Sequence, residues 1–254
     1  MTPLRDTALV FRRYMLQTLR NPVWMFFGIV QPIMYLVLFA PLLVKVASSA
    51  PGFPQGGAYN VFIPGLLVQL GLFGASGVGF GLISELRMGV IERFRVTPIS
   101  RISLLLGRAL RDVVIISAQS LLLIICAIPF GLTISGGGIL VVLLLIALIG
   151  LMTASLSYTI ALAVKSEDAF APIVFGATLP LLLLSGVLLP LQLAPDWLRV
   201  VAAFNPLKYA VDASRAAFNT HLTDVAVAQG FAVMLCLGII AVLLAARAFG
   251  RAVA

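Results

Sequence analysis

Charged residues are scarce in this chain of 254 residues: only 10% are Asp, Glu, Lys or Arg, against about 25% in ordinary soluble domains. Hydrophobic residues make up 61% of the chain. This composition excludes a soluble globular domain and a disordered chain. It also argues against a nucleic-acid partner, although the formal net charge is +8, because so large an apolar excess indicates burial in a bilayer.

The residues that usually hold metals or cofactors are also few. The two cysteines, Cys126 and Cys236, lie in apolar runs, where a thiol behaves as a small hydrophobic group. None of the three lysines ends the glycine-rich sequence of a phosphate-binding loop. We therefore predict that this chain binds no cofactor or metal and catalyses no reaction itself.

Uncharged runs long enough to span a bilayer are abundant. Two of them contain Pro- and Gly-rich interruptions and are divided there. The predicted fold is an all-α integral membrane protein with six transmembrane helices, at residues 23–45, 58–83, 112–132, 139–164, 170–189 and 229–247. The centres of these spans contain no Asp, Glu, Lys or Arg, so energy for any transport is expected to come from elsewhere.

Basic residues are distributed unequally between the two sides of this layout. Thirteen Lys and Arg residues fall on the side of the termini, and four fall on the other side. The positive-inside rule then places both termini and the 84–111 loop in the cytoplasm. The 1–22 segment is predicted to be an amphipathic interfacial helix. Its apolar stripe comprises Leu4, Ala8, Phe11, Met15 and Leu19, and its basic residues are Arg5, Arg12, Arg13 and Arg20.

Small and polar residues mark contacts between the predicted spans. The second span is rich in glycine, and Gly77 and Gly81 form a small-xxx-small pair that predicts close helix packing; a hinge in a gating helix is the alternative. Polar side chains in the spans are predicted to make interhelical hydrogen bonds, with a substrate-facing role as the alternative. They are Gln31, Gln69, Gln119 and Tyr158.

The predicted extracytoplasmic segment, residues 190–228, is too polar to cross the membrane. Asn205 followed by Pro206 is typical of a helix start. The helix that follows has an apolar stripe, Leu207, Val211, Ser214 and Phe218, and a polar stripe that includes Lys208, Asp212 and Arg215. We expect a re-entrant helix that forms a structural lid or an exit gate, with Tyr209 at the interface.

The 84–103 loop combines charges of both signs with apolar residues, and Thr97-Pro98 ends its helical pattern. Its stretch from Glu85 to Arg101, followed by Leu106-Gly107-Arg108, resembles the cytoplasmic signature of ABC type-2 transporter permeases. The stretch from Phe204 to Arg215 resembles the signature before the last span of the same family. The resemblance covers nearly the whole chain as one domain, residues 1–254, and is greatest to permeases of the daunorubicin/doxorubicin-exporter type.

This resemblance implies a membrane subunit that dimerises, as a homodimer or with a related permease, and works with two copies of a separate ATP-binding subunit. ATP and Mg would be bound by that partner. The 84–103 loop would be the coupling helix seated in the ATPase. Its contact residues would be Glu85, Arg87, Gly89, Glu92, Arg93, Phe94, Arg95, Pro98 and Arg101.

The resemblance also implies a path between the two permeases and export across a cell membrane, with a bacterial source expected. Candidate path residues are Gln31, Gln69, Phe73, Phe80 and Gln119, and candidate outer-gate residues are Asn205, Pro206, Lys208, Tyr209, Asp212 and Arg215. The apolar spans favour an amphipathic drug-like or lipid-like substrate; a polysaccharide or glycolipid is the alternative. A different class, an intramembrane serine protease using Ser76 and His221, is a weaker alternative.

Overall fold

Helices make up almost all of the chain that the structure describes. The structure, a computed structural model, describes residues 3–39, 41–42, 44–45, 57–90, 100–187 and 191–252, and no strand occurs among them. The α-helices are α1 (Pro3–Arg20), α2 (Val23–Met34), α3 (Gly57–Ser76), α4 (Val78–Arg87), α5 (Arg101–Ala127), α6 (Gly136–Val164), α7 (Glu167–Leu183), α8 (Asp196–Ala203), α9 (Pro206–Phe218) and α10 (Val225–Ala252).

Four segments in the described ranges are long and apolar enough to cross a membrane: Gly57–Arg87, Ile102–Phe130, Gly136–Val164 and Val225–Arg251. A bent pair, Leu4–Arg20 and Met25–Phe39, would add a fifth if it were one span. Helix α7, in the region of the predicted fifth span, has only 17 residues, or about 26 Å at 1.5 Å per residue. The all-helical membrane class is therefore confirmed, while the six-span layout stays a prediction.

Helix α6 is the centre of the bundle. It packs against α3, α5, α9 and α10, and its side chains enter both large apolar clusters of the core. Its start is capped by Ser135, whose hydroxyl accepts a hydrogen bond from the Gly138 amide at 3.1 Å. It ends at Val164, and the next residue, Lys165, has the left-handed φ of 55°.

The segment Gly57–Arg87 is the most deeply buried of the four candidate spans. It is interrupted at Gly77, between α3 and α4. Ser157 of α6 bridges this interruption: its hydroxyl donates to the Ser76 carbonyl at 2.7 Å and accepts from the Gly79 amide at 2.9 Å. The bridge supplies partners to backbone groups at the break between the two helices.

The predicted Gly77–Gly81 contact does not form within the described part of the chain. A Cβ on Gly81 would meet nothing within 4 Å, and one on Gly77 would meet only Phe80 of the same segment at 4.0 Å. The close approaches occur instead at Gly65, which faces the Val187 backbone, and at Gly79, where a Cβ would lie 2.6 Å from Phe170 Cε2. Spacing alone identified the glycine-rich helix but not the glycines that face a neighbour.

Candidate functional site

The N-terminal helix α1 packs along α5, but not through its predicted apolar stripe. Val10 and Tyr14 are the buried residues that contact Leu104. A Cβ on Gly107 would lie 2.6 Å from Val10 Cγ1, so this glycine permits the close approach. Leu4 and Leu19, from the predicted stripe, are 84% and 58% exposed. The face that packs on α5 is therefore a different one from the predicted interfacial stripe, whose contact with the membrane surface stays a prediction. Arg5, Arg12, Arg13 and Arg20 are exposed.

A buried cluster of charged and phenolic side chains lies where α1, α4, α5 and α6 meet. Its centre is Arg108, whose Nη1 lies 3.0 Å from Glu85 Oε2, an ion-pair distance without hydrogen-bond alignment. The Tyr14 hydroxyl donates to the same Oε2 at 2.9 Å. The Arg108 guanidinium also lies 4.5 Å from the ring centre of Tyr14 and 5.6 Å from that of Tyr158, within cation–π range.

The same cluster continues along α5. The Tyr158 hydroxyl donates a hydrogen bond to Asp112 Oδ2, and Arg111 Nη1 lies 3.2 Å from Asp112 Oδ1. We call this set the Arg108 cluster; its members are Tyr14, Glu85, Arg108, Arg111, Asp112 and Tyr158. It fixes the N-terminal helix to the helices on both sides of the 88–100 segment, because Glu85 precedes that segment and Arg108 follows it.

Sequence reasoning missed most of the Arg108 cluster. The third span was predicted to begin at residue 112, whereas α5 begins at Arg101, which puts Arg108 two turns inside a helix. The available signal was the spacing of Arg108 and Asp112, four residues apart on one helical face directly before an apolar run. The interhelical role predicted for Tyr158 is confirmed by its bond to Asp112.

The predicted coupling residues fall into three groups. Glu85 is buried in the Arg108 cluster, so its carboxylate is engaged within this chain. Arg87 is exposed and lies 3.4 Å from Glu167, and Gly89 has the left-handed φ of 67°. Glu92, Arg93, Phe94, Arg95 and Pro98 lie outside the described residues, as does the side chain of Arg101.

Most candidate path residues turn toward their own chain. Gln119 is buried and donates to the Met25 carbonyl at 2.6 Å, which confirms its predicted interhelical bond. Gln69 is 4% exposed, Phe73 is half-buried, and Phe80 packs edge-on against Phe170 at 4.8 Å between ring centres. Gln31, by contrast, lies on the exposed side of α2.

At the other end of the bundle, polar side chains attach α9 to its neighbours. Asn205 caps α9 by accepting from the Leu207 amide at 3.0 Å, and its side-chain amide donates to the Leu181 carbonyl at 2.6 Å. Arg215 donates to the carbonyls of Val61 at 3.0 Å and of Gly186 at 2.7 Å. The guanidinium of Arg215 therefore turns inward, although the sequence pattern put it on a polar stripe.

The remaining predicted gate residues lie on α9, the same helix that Asn205 and Arg215 bond to its neighbours. Pro206 begins α9, the Tyr209 hydroxyl donates to the Ala203 carbonyl at 3.0 Å, and Lys208 Nζ lies 5.7 Å from the Tyr209 ring centre.

Burial raises the pKa of the Asp212 carboxyl, although Arg215 and Lys208 oppose the shift. Burial also lowers the pKa of Arg215 to about 10. The apolar stripe predicted for α9 is confirmed as a buried face, because all four of its residues are buried: Leu207, Val211, Ser214 and Phe218.

Replacing Arg215 by lysine is expected to destabilise the protein by about 1–3 kcal/mol, because an ammonium group cannot reach both carbonyls in the same fork and leaves a buried acceptor unpaired. Unfolding of the purified protein in mixed micelles measures the change. Lys208→Arg, on the same helix and away from these carbonyls, is the matched control. Equal stability of the two variants would contradict this role of Arg215.

The protease alternative receives no geometric support from the described residues. The Ser76 hydroxyl donates to the Leu72 carbonyl at 2.5 Å and lies 3.4 Å from Thr178 Oγ1. His221 is exposed in the connection between α9 and α10. A serine nucleophile needs its base within hydrogen-bond reach, and no such bond between these two residues is present.

The family of the chain follows from a comparison with known protein families. The model of the ABC-2 type transporter family matches residues 5–219, a range that includes the Arg108 cluster and α9. The chain belongs to the ABC-2 type transporter family. As an ABC-2 permease it is a multi-pass membrane protein, in agreement with its apolar helices.

Relatives of this ABC-2 permease come from several lineages. It is 27% identical over 216 residues to the putative transport permease ycf38 of Cyanophora paradoxa, covering 84% of this chain and 73% of that protein. It is 26% identical over 249 residues to the ycf38 protein of Pyropia yezoensis, covering 96% and 84%. It is 22% identical over 197 residues to the daunorubicin resistance ABC transporter permease protein DrrB1 of Streptomyces coeruleorubidus, covering 76% and 68%.

Proposed function

We propose that this chain is the permease subunit of an ATP-driven exporter, powered by a separate ATP-binding subunit. The observation that carries the proposal is the family match over residues 5–219. It is supported by the sequence, in which no lysine ends a phosphate-binding loop. ABC-2 permeases normally work with an ATP-binding subunit, and two copies of that subunit would serve a dimer of permeases.

The coupling element in this proposal is the 84–103 loop, with α1 beside it. The Arg108 cluster supports this assignment, because it joins α1 to the helices on both sides of the 88–100 segment through buried contacts. In this proposal a force applied to that segment reaches α1 through Glu85 and Arg108, and α6 through Asp112 and Tyr158. Glu85 is assigned to this internal attachment, and the loop charges beyond it are assigned to the partner.

The substrate proposed is an amphipathic drug-like or lipid-like molecule. Two observations support it: the spans are predominantly apolar, and relatives at 22–23% identity are named daunorubicin or doxorubicin resistance permeases. The names of the ycf38 relatives state no substrate. A polysaccharide or glycolipid would need a more polar path, since its hydroxyls require hydrogen-bond partners.

The layout proposed for the membrane has six spans, with α1 at the interface and both termini in the cytoplasm. The asymmetry of thirteen against four basic residues supports this orientation. A cell membrane is the proposed location. Relatives in Cyanophora and Pyropia as well as in Streptomyces mean that the expected bacterial source has no particular support.

The double substitution Glu92→Ala/Arg93→Ala is expected to reduce partner-dependent ATPase stimulation and export at least tenfold, because it removes two charges assigned to the docking surface. Co-purification of the ATP-binding subunit and its hydrolysis rate in proteoliposomes are the measurements. Asp196→Ala/Arg199→Ala, an exposed pair of the same charges on α8, is the matched control. Unchanged coupling in the first variant, with normal membrane insertion, would refute the docking assignment.

A further inference from the structure

Helix α1 has three different sides. The first carries Val10 and Tyr14 and is buried against the bundle. At 3.6 residues per turn, the predicted apolar stripe is centred about 140° around the helix from Val10, and the basic residues are centred about 110° further on. The apolar side consists of Leu4, Ala8, Phe11, Met15 and Leu19, and the basic side of Arg5, Arg12, Arg13 and Arg20. These two sides adjoin each other on the part of α1 that faces away from α5.

The exposed charge of α1 has one sign only. Arg5, Arg12 and Arg20 are exposed and form no ion pair among the described residues. Asp6, the acidic residue of this helix, is 3% exposed and contributes almost nothing to its surface. A stripe of unpaired cations attracts an anionic partner, so the basic side of α1 has the charge of a binding surface for anions.

The groove along this basic side is also partly apolar. It is lined by Leu9, Arg12, Arg13, Leu16, Gln17 and Arg20. Leu9 is 49% exposed and Leu16 is 44% exposed. A guanidinium binds phosphate oxygens through two parallel hydrogen bonds, and the leucines between the guanidiniums are covered only by an apolar group. A phospholipid supplies both groups, whereas a free phosphate leaves the leucines in water.

The direction of α1 suits a contact with the membrane surface. The segments Leu4–Arg20 and Met25–Phe39 are inclined by 67° to each other, and Arg20 lies three residues before the start of α2. In the layout of the proposed function α2 crosses the bilayer, so α1 runs along the cytoplasmic surface. Cytoplasmic leaflets carry anionic lipids that attract basic segments next to a span.

We propose that α1 binds anionic phospholipids of the cytoplasmic leaflet, with its arginines on the lipid phosphates and its apolar side among the acyl chains. This inference rests on the membrane layout in the proposed function and adds the class of lipid that α1 selects. The buried side of the same helix is fixed to Glu85 through Tyr14. The bound lipids therefore contact the helix that is attached to the start of the 88–100 segment.

The lipid selectivity of the full chain tests the proposal. The purified chain is reconstituted in phosphatidylcholine with a trace of spin-labelled phosphatidylglycerol or spin-labelled phosphatidylcholine, and the fraction of each label that the protein immobilises is measured by electron spin resonance. The test variant is Arg12→Gln/Arg20→Gln. The matched control is Arg247→Gln/Arg251→Gln, which removes the same charge from exposed positions near the end of α10.

The expected result is at least a threefold preference for phosphatidylglycerol in the parent chain and less than 1.5-fold in Arg12→Gln/Arg20→Gln. Each arginine near an anionic surface changes binding about fivefold, and averaging over all lipids around the chain dilutes this effect. The control and the charge-conserving Arg12→Lys/Arg20→Lys should both keep at least a twofold preference. In the parent chain, 0.5 M NaCl should lower the preference below 1.5-fold, which tests the contact without a substitution.

Two results would overturn the proposal. Equal selectivity in Arg12→Gln/Arg20→Gln and in the control would show that α1 does not select the lipid. Loss of the co-purified ATP-binding subunit in Arg12→Gln/Arg20→Gln, with unchanged lipid selectivity, would assign the basic side to that subunit instead. By contrast, a threefold preference in a chain that shows no partner-dependent ATPase stimulation would support the lipid contact and refute only the proposed function.

Discussion

Replacing Arg108 by alanine is expected to lower the free energy of unfolding by about 3–5 kcal/mol, because the substitution leaves the buried Glu85 carboxylate without its cation. It also removes the guanidinium stacked between the rings of Tyr14 and Tyr158. Reversible unfolding of the purified protein in mixed micelles measures the change. We further expect α1 to become more accessible to protease, since Tyr14 loses its contact with the Arg108 guanidinium and donates to a carboxylate that no longer has its cation.

The matched control for this experiment is Arg87→Ala. Arg87 pairs with Glu167 at 3.4 Å, but both side chains are about half exposed, so the loss should stay within about 1 kcal/mol. The double variant Glu85→Gln/Arg108→Met should recover part of the stability lost in Arg108→Ala, because no unpaired charge stays buried. Equal losses in Arg108→Ala and Arg87→Ala would contradict a structural role for the Arg108 cluster.

The alanine variants of Gly65 and Gly81 are expected to change stability in opposite directions. A Cβ on Gly65 would overlap the carbonyl oxygen of Val187 and lie 3.0 Å from its carbonyl carbon. Because this obstacle is backbone, α3 and the chain segment that follows α7 must move apart, which costs about 1–3 kcal/mol or more. A Cβ on Gly81 would meet nothing within 4 Å, so Gly81→Ala should stabilise the helix by about 0.5–1 kcal/mol.

The same micelle unfolding assay serves for both glycine variants, with yield of inserted protein as a second measurement. Gly65→Ser, which also adds a Cβ, should behave like Gly65→Ala, whereas Gly81→Ser should stay close to the parent protein. A stable Gly65→Ala variant would show that α3 and the Val187 backbone are not in the close contact described. Gly65 and Gly81 belong to the same candidate span. A difference in membrane insertion therefore cannot explain stability changes of opposite sign in the two variants.

The helical class and most long helices could be predicted because they depend on properties that are local in sequence. An apolar run about 20 residues long must be a helix in a bilayer, since its backbone groups have no other partners. The predicted span 139–164 and the observed α6, Gly136–Val164, accordingly agree closely. The start of α5 was placed too late because Arg108 and Asp112 look like loop residues when their buried partners are unknown.

The sequence pattern could not predict which helices contact each other. The buried face of α1 is set by the bond from Tyr14 to Glu85, 71 residues away, and no local periodicity encodes such a distance. Arg215 likewise bonds to Val61 across 154 residues. Single-sequence patterns identify an amphipathic helix, but the choice between two plausible faces depends on the neighbour.

The interruption at Gly77 determines where the segment Gly57–Arg87 can bend. Its first half, α3, is held at Val61 by Arg215, and its second half, α4, is held at Glu85 by Arg108 and Tyr14. Because both ends are fixed to other helices, relative motion of the two ends must be absorbed between them. At Gly77 the backbone groups of the break depend on a hydroxyl from another helix, Ser157. A displacement of one end relative to the other is therefore expected to bend the segment at Gly77, and the Ser157 hydroxyl is the group that would have to follow that bend.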